Sequence, residues 1–391
     1  MCRDEKTKMV GKSDIYTVSA HRLCRLICQS LRQQGYRLGK DGLELVHQDK
    51  ESLRYAHAPA VQAEIERAQK SLAPYEDRLL NYIANGNEVN PYAIRPVLIK
   101  VEPDTEHSRL FRYASLHWSI PISNGYGRRL RFLIFDESNG KLMGILGLSD
   151  PVFSLRPRDS WVGWGYERRK ERLQHVMDAY VLGALPPYSK LLVGKFVAMV
   201  ATSREVAAAF RERYAGQKTV LRQRVQSGEL AMVTTLSALG RSSIYNRLKY
   251  KDRFVLISVG YTVGWGAFHF TNGVYEQIQA FAHQHCEGTA KAEGWGGGKF
   301  RNRQEVVRKC LIKLGLPTNW MRHQVRREIF VAPLAANTRE FLRGESDVLE
   351  YWNESVATYF EFFRERWLLP RAARDESYKT FHREEWRLWQ K

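Results

Sequence analysis

The stretch of residues 230–270 constrains the fold more than any other part of the chain. It begins with a short apolar run, 230–235, which ends in β-branched residues and predicts a buried strand. Turn-forming residues follow, and Ser242 or Ser243 is suited to cap a short helix that runs to Leu248. A second apolar run, FVLISVGYT, predicts another strand. A strand, a loop, a short helix and a strand in this order predict an α/β fold.

The polar side of the same stretch is strongly basic. Its cations are Arg241, Arg247, Lys249, Lys251 and Arg253, opposed by Asp252. A face of this kind is either solvated or adapted to a phosphate-bearing partner.

Tyr245 lies among these cations and is a candidate catalytic residue. Neighbouring arginines would favour its phenolate form, and a phenolate can attack a phosphodiester. Alternatively, the ring packs in the core while the preceding serines cap the helix.

The charge balance of the whole chain points to a polyanionic partner. The 391 residues carry a formal net charge of +19, with an isoelectric point near 9.7. Such an excess favours nucleic acid first and an anionic membrane surface second. The sequence contains no apolar run near the roughly 18 residues needed to span a bilayer, and its beginning has no apolar signal core. Five cysteines without a CxxC pair fit a reducing compartment, so we expect a cytoplasmic protein without disulfides.

The pattern along the chain predicts three consecutive modules. They are a helical N-terminal module at 1–95, an α/β core at 96–290 and a helical, basic C-terminal region at 291–391. Within them, helices are predicted from Ser19 to Gly35, at 59–84 and at 347–369. Strands are predicted at 97–101, 111–122, 130–136, 141–148 and 180–185, with Asn139-Gly140 as a hairpin turn.

A second basic segment lies between Trp295 and Phe330. The candidate nucleic-acid contacts in it are Lys299, Arg301, Arg303, Arg308, Arg326 and Arg327, with Trp295 and Trp320 interleaved. Cations release counterions from phosphates, and aromatic faces can stack on unpaired bases. The segment therefore predicts binding of DNA that is single-stranded or a distorted duplex.

Two carboxylates support an alternative, enzymatic hypothesis. Asp136 and Asp159, with Asp150 between them, lie at predicted strand ends or turns, where convergent carboxylates could hold Mg²⁺ and cut DNA. Alternatively, Asp136 caps a turn and Asp159 pairs with Arg158. No cofactor is expected, and Mg²⁺ only if the protein is a nuclease.

Several long motifs resemble the DruA family of the Druantia anti-phage defence systems. They include GRRLRFLIFDESNGKLMGILGLSDPVF, RDSWVGWG, LPPYSKLLVGKFVAMV, VTTLSALGRSSIYNRLKY, VGYTVGWGAFHF and REIFVAPLAANTREFLRG, in order over about residues 90–345. The resemblance implies a role in defence against phage beside a large helicase-like partner. It implies no particular chemistry.

The order of elements also looks like the GNAT acetyltransferase scaffold, with a GNAT-like mixed sheet as the core. In that scaffold a central hairpin precedes a loop and helix whose amides hold a cofactor pyrophosphate, and a later short helix carries a tyrosine. Here Tyr245 fits the later position. The cofactor loop fits poorly, because PPYSKLLVGK has a single glycine and two prolines that lack an N–H. The sequence therefore predicts a GNAT-like core in which the acyl-CoA site is lost or rebuilt, with an acyltransferase as an alternative function.

Overall fold

A computed structural model describes residues 19–47, 49–122, 127–218, 223–271, 273–289 and 299–389. In chain order the α-helices are α1 (Ala20–Gln33), α2 (Lys50–Leu72), α3 (Glu76–Leu80), α4 (Glu106–Ser115), α5 (Arg156–Val162), α6 (Tyr166–Arg172), α7 (Val193–Val200), α8 (Arg204–Tyr214), α9 (Val274–His285), α10 (Arg303–Lys313), α11 (Thr338–Arg343), α12 (Val356–Phe363) and α13 (Leu369–Ala372). The strands are β1 (Tyr36–Gly39), β2 (Gly42–Leu45), β3 (Pro96–Lys100), β4 (Arg129–Asp136), β5 (Lys141–Ser149), β6 (Val176–Ala184), β7 (Met232–Leu236), β8 (Lys249–Tyr250), β9 (Arg253–Phe254), β10 (Ile257–Tyr261) and β11 (Glu328–Pro333).

The chain forms two compact units, and each is made of two separate segments. The first unit combines Met1–Val46 with Trp265–His323, and the second combines His47–Gly264 with Gln324–Lys391. These units cut across the three consecutive modules expected from the sequence, whose division stays a prediction.

The first unit is mainly helical. Ser19 caps α1 by accepting a hydrogen bond from the amide of Arg22, and α1 buries Leu23, Ile27 and Leu31 on one face. The hairpin β1–β2 follows, and α1 contacts both β1 and α9. Helix α9 packs in turn on α10. The predicted cap of α1 is confirmed.

The second unit is built on a seven-stranded mixed sheet. Its strand order is β10-β11-β7-β6-β5-β4-β3. All neighbours are antiparallel except β6 and β7, which run parallel from Val176 opposite Met232 to Ala179 opposite Thr235. Strand β6 then continues to Ala184, beyond the last residue that it pairs with β7. The two parallel strands are therefore unpaired with each other at this end.

Helices cover both faces of the sheet. On one face, Phe132, Ile134 and Leu146 pack with residues of α7, α8 and α12 in a single core. On the other face, Leu133 and Ile145 pack with α4 and with aromatic residues near the C-terminus. Alternating residues of β4 thus enter opposite cores, as the pleat of a strand requires. The α/β class and the 130–148 hairpin are confirmed; the GNAT-like detail stays a prediction.

Two of the predicted elements are wrong, and a third begins later than predicted. Residues 111–122 are not a strand, because Thr105 caps α4 and this helix buries Leu110, Phe111 and Tyr113. The helix after Ser242 is replaced by turns at residues 243–247, where Arg247 has a φ of 63° that ends any helical path. The helix expected from residue 347 begins only at Val356, after the capping Ser355.

Helix α2 begins earlier than predicted. The carboxylate of Asp49 accepts hydrogen bonds from the amides of Glu51 and Ser52 and so starts the helix at Lys50. Pro59 consequently lies inside α2 rather than at its beginning.

Candidate nucleic-acid interface and the polar centre of the sheet

The basic stretch 241–253 forms an exposed loop and the small hairpin β8–β9 in the second unit. Arg241, Arg247, Lys249 and Lys251 are all exposed. The Lys249 ammonium lies 4.6 Å from the centre of the Phe254 ring. These four cations are placed where a phosphate could reach them.

Arg253 differs from its neighbours because it is held by other side chains. Its guanidinium stacks 3.7 Å from the centre of the Trp352 ring and donates a hydrogen bond to the Tyr359 hydroxyl at 3.1 Å. The position of Arg253 therefore indicates a structural role.

Tyr245 points into the second unit. Its hydroxyl donates to the backbone oxygen of Leu182 at 2.9 Å, and its ring makes an edge contact with Phe330. Burial raises the pKa of Tyr245 and outweighs the opposing effect of Arg327. The expectation of a favoured phenolate is therefore wrong. A catalytic role for Tyr245 stays a prediction, one that this geometry does not favour.

A single buried glutamate holds the loop around Tyr245 in place through hydrogen bonds. Glu328 accepts hydrogen bonds from the Ser242 amide at 3.1 Å, the Asn246 side chain at 2.9 Å and the Ser258 hydroxyl at 2.8 Å. In the same loop, the Ser242 hydroxyl accepts from the Tyr245 amide. The serine thus caps a turn instead of a helix.

A polar centre lies where the parallel strands β6 and β7 meet. Asp178 of β6 stands opposite Thr234 of β7, and the Thr234 hydroxyl donates to the Asp178 carboxylate at 2.7 Å. Burial raises the pKa of Asp178, against the opposing effects of Thr234, Arg327 and Arg158. Asp178 was not among the site residues predicted from the sequence. A lone acid inside an apolar strand was the signal available.

Arg327, which we predicted to contact DNA, belongs to this polar centre. Its Nε donates to the backbone oxygen of Ser237 at 2.6 Å, beyond the end of β7. Burial lowers the pKa of Arg327 to about 10, although Asp178 opposes the change. Its neighbour Arg326 is exposed, with its guanidinium 5.4 Å from the centre of the Tyr261 ring. Of this pair, only Arg326 is placed to meet a ligand at the surface.

The other predicted cations of the second basic segment lie in the first unit, on and before α10. Lys299 and Arg301 are exposed. Arg303 stacks 3.8 Å from the centre of the Tyr275 ring, and Arg308 pairs with Glu305 at 3.2 Å. Lys299 and Arg301 are thus more accessible than Arg303 and Arg308.

The structure describes only one of the two tryptophans predicted to stack on bases. Trp320 is only 5% exposed, and its indole donates to the backbone oxygen of Gly39 at 3.0 Å, so its ring cannot reach a base. Trp295 lies outside the described residues. An exposed alternative is Trp265, which is 44% exposed and pairs in a β-bridge with the exposed Arg322.

A basic face on α1 was not predicted from the sequence. Arg22, Arg25 and Arg32 are exposed and, at 100° per residue, fall within about 80° of one another around the helix axis. The buried Leu23, Ile27 and Leu31 occupy the opposite side. We call these three arginines the α1 arginine face. The signal available in the sequence was that apolar residues and basic residues each recur at helical spacing along this segment.

The two candidate catalytic carboxylates are far apart. Asp136 ends β4, whereas Asp159 lies on α5, which contacts β10 and β11. Four strand spacings separate β4 from β11, which is roughly 19 Å. Asp136 and Asp159 therefore cannot share one Mg²⁺ in this arrangement.

Each of the two carboxylates is also already bound by donors. Asp136 is buried and accepts from the Arg95 amide, the Ser138 amide and hydroxyl, and the Tyr188 hydroxyl. Asp159 accepts from Arg158, Arg169, the Trp164 indole and the Leu155 amide. Among the residues that the structure describes, no group of three His, Cys, Asp or Glu side chains is arranged to hold a metal ion.

The site of the GNAT cofactor would lie at the start of α7. Gly194, in the first turn of α7, lies against Ile244, whose Cδ1 would be 3.4 Å from a Cβ added at that glycine. The Lys195 ammonium donates to the backbone oxygen of Ile244 at 3.3 Å. The loop that carries Tyr245 therefore lies on this end of α7, where the scaffold would place a pyrophosphate.

These features define an α/β protein with a mixed sheet, a polar centre at its parallel strand pair and exposed basic surfaces on both units. Within the described ranges, no helix is long and apolar enough to cross a membrane. Residues 47–344 match the protein family described as Druantia protein DruA. The chain is also 37% identical over 364 residues to a Druantia protein DruA of Escherichia coli (strain UMEA 4076-1), which covers 92% of this chain and 89% of that protein. The chain belongs to the DruA family. No solved structure matches it.

Proposed function

We propose that this protein is the nucleic-acid-binding component of a bacterial anti-phage defence system, and that it acts in the cytoplasm with other proteins of that system, among them a helicase-like subunit. Membership of the DruA family supports the defence role. The exposed cations of the first unit are the observation that carries the binding role.

The first unit has a marked excess of positive charge. Its described residues include twelve Lys and Arg against five Asp and Glu. Helix α1 has no acidic residue at all, and α10 has one, Glu305. A phosphate backbone gains from such a surface because each cation that contacts a phosphate releases counterions.

Only cations whose side chains are accessible can contact a phosphate of the DNA. The arginines of the α1 arginine face form no ion pair with any described residue. Lys299 and Arg301 are exposed as well. Trp265, next to Arg322, supplies an exposed aromatic ring on which an unpaired base could stack. This combination favours single-stranded or distorted DNA over a regular duplex, whose bases are already stacked.

The test is a salt titration of binding to labelled single-stranded and double-stranded DNA. A variant with Arg22→Gln, Arg25→Gln and Arg32→Gln should bind more weakly, and the slope of log K against log salt should fall by about 0.7 to 0.9 for each lost phosphate contact. Trp265→Ala should weaken binding to single strands more than to duplexes.

A matched control removes the same net charge from the second unit. Arg78→Gln, Arg95→Gln and Arg168→Gln replace three exposed arginines, each paired with a glutamate, and should leave the salt slope unchanged. Equal losses in the control and the α1 variant would mean that net charge alone is responsible. Unchanged binding by the α1 variant would remove this face from the proposal. The gel that follows strand integrity with and without Mg²⁺ tests the nuclease alternative in the same samples.

A further inference from the structure

A pocket of about 270 Å³ opens in the second unit between two helices and one face of the sheet. Helices α2 and α4 form two of its walls, residues 120–122 form a third, and β4 and β6 form its floor. None of the individual residues predicted from the sequence to carry function lines it. Its volume is slightly below the roughly 300–1,000 Å³ of most ligand pockets, so it would hold one small ligand.

The charged groups of the pocket are unbalanced. Arg67 of α2, Arg112 of α4 and Arg131 of β4 all line it, and Glu64 is the one acid among the described lining residues. Glu64 is already paired with Arg67 at 2.6 Å. Arg112 donates to the Ser71 hydroxyl at 3.2 Å and has no acidic partner among the described residues. Three arginines from three separate elements thus meet with a net charge of about two, the charge of a phosphate monoester dianion.

Arg131 at the floor carries an unsatisfied donor. Its Nε is buried and has no hydrogen-bond acceptor within the described part of the chain. A buried donor without a partner is costly, so an anion that accepted this hydrogen bond would remove that cost. The guanidinium lies 5.6 Å from the centre of the Phe111 ring, which holds it in place.

Tyr180 completes the floor beside Arg131. Its ring lies over Gly147 of β5, where an added Cβ would come within 2.6 Å of the ring carbon Cζ. A side chain at position 147 would therefore displace the ring of Tyr180. Burial raises the pKa of Tyr180 although Arg131 lies near its hydroxyl and hydrogen-bonds to it. The hydroxyl therefore stays protonated and keeps its own proton to donate to a ligand.

Apart from Ser115, the remaining residues that line the pocket are apolar. Phe111, Leu116, Ile120 and Ile122 line it on the side of α4. An aromatic ring and branched aliphatic side chains are suited to a flat, weakly polar group such as a nucleobase. Cations, a hydroxyl donor and this apolar wall meet in a space for one small molecule.

We propose that this pocket binds a nucleoside monophosphate, with the phosphate held by Arg67, Arg112 and Arg131 and the base packed on Phe111 and Ile122. A phosphate fits better than a carboxylate because its three terminal oxygens can accept from three separate guanidinium groups. The pocket and the proposed DNA surface share no residue, so the two proposals succeed or fail independently.

The first measurement is the thermal unfolding of the full chain with millimolar AMP, GMP, CMP or UMP. At least one of them should raise the Tm in a saturable way, because a ligand that binds the folded state stabilises it by mass action. The matching nucleoside should have no such effect, and inorganic phosphate should act only at higher concentration. No shift with any of the four nucleotides, or an equal shift with the nucleoside, would overturn the proposal.

Calorimetric titration of variants then locates the site. Arg131→Gln and Arg112→Gln should each weaken nucleotide binding about tenfold or more, the loss expected for a charge-assisted hydrogen bond. Arg54→Gln, an exposed arginine of α2 outside the pocket, is the matched control and should bind normally. Arg112 is exposed, so its replacement should fold even if Arg131→Gln does not. Normal binding by Arg112→Gln together with Arg67→Gln would place the nucleotide elsewhere.

Discussion

The arginines on α1 of the first unit and two buried arginines of the second unit have different roles. In the first unit, Arg22, Arg25 and Arg32 project from α1 into solvent without acidic partners among the described residues. In the second unit, Arg158 is fully buried and bound to Asp159, and Arg327 is held within the polar centre. The same residue type therefore serves as an accessible charge on α1 and as an internal hydrogen-bond donor at these two buried positions of the second unit.

The comparison shows why charge alone does not locate a binding surface. A buried guanidinium has lost its hydration and must be compensated by fixed partners, so it has few donors left for a ligand. An exposed guanidinium keeps its hydration and can exchange it for a phosphate. Burial, which the sequence does not state, decides which of the many cations of this chain are available.

The largest expected effect is the loss of a buried arginine. Arg158→Met leaves Asp159 without its two closest donors, at 2.6 and 2.8 Å, and also frees the backbone oxygens of Val152 and Phe153. We expect the free energy of unfolding to fall by about 3–5 kcal/mol, as for other broken buried pairs. Urea denaturation measures the change.

Arg25→Met in the first unit is the matched comparison for this substitution. Its side chain is exposed on α1, so the free energy of unfolding should change by less than about 0.5 kcal/mol. Similar losses for Arg25→Met and Arg158→Met would show that the two units do not use arginine differently.

The second largest expected effect is a dependence of stability on pH. It distinguishes a buried histidine of the second unit from an exposed histidine of the first unit. His175 in the second unit is 4% exposed, its Nδ1 lies 2.8 Å from the backbone oxygen of Glu229, and burial lowers its pKa to about 4. The unfolded chain, with a histidine pKa near 6.5, therefore takes up a proton that the folded chain refuses. Stability should be constant above this value and fall as the pH drops towards about 4, by up to about 1.4 kcal/mol per pH unit.

His175→Gln tests this acid sensitivity. It should reduce the slope of stability against pH between about pH 6.5 and 4, while His117, whose pKa is also lowered by burial, keeps part of it in both proteins. His285→Gln, at an exposed position of α9 in the first unit, should leave the slope unchanged. An unaltered slope in His175→Gln would contradict the assignment.

The smallest expected effect concerns Tyr245. Tyr245→Phe removes the hydrogen bond to Leu182 but keeps the edge contact of the ring with Phe330. We expect a loss of about 1 kcal/mol in the free energy of unfolding and no change in DNA binding. If purified protein cuts DNA and the folded Tyr245→Phe variant does not, the structural interpretation of this residue is wrong.

The sequence by itself determined the elements whose signals are local. The β4–β5 hairpin follows from two apolar runs around Asn139-Gly140, and Gly140 adopts the positive φ of 68° that such a turn needs. Helix α1 follows from Ser19 and from apolar residues at helical spacing. A cap, a turn and a period each lie within a few residues, so no distant contact is needed to recognise them.

Only the tertiary structure decided which residues meet. The turn at 243–247 replaces a predicted helix because Glu328, more than eighty residues later, binds its polar groups. Trp320 cannot stack on a base because its indole donates a hydrogen bond to the backbone oxygen of Gly39, near the other end of the chain. Asp178 meets Thr234 through the pairing of β6 with β7, and Arg327, far away in sequence, acts on the same carboxylate. These outcomes depend on burial and on contacts between segments that are distant in sequence. Neither can be read from the type of a residue or from its neighbours in the chain.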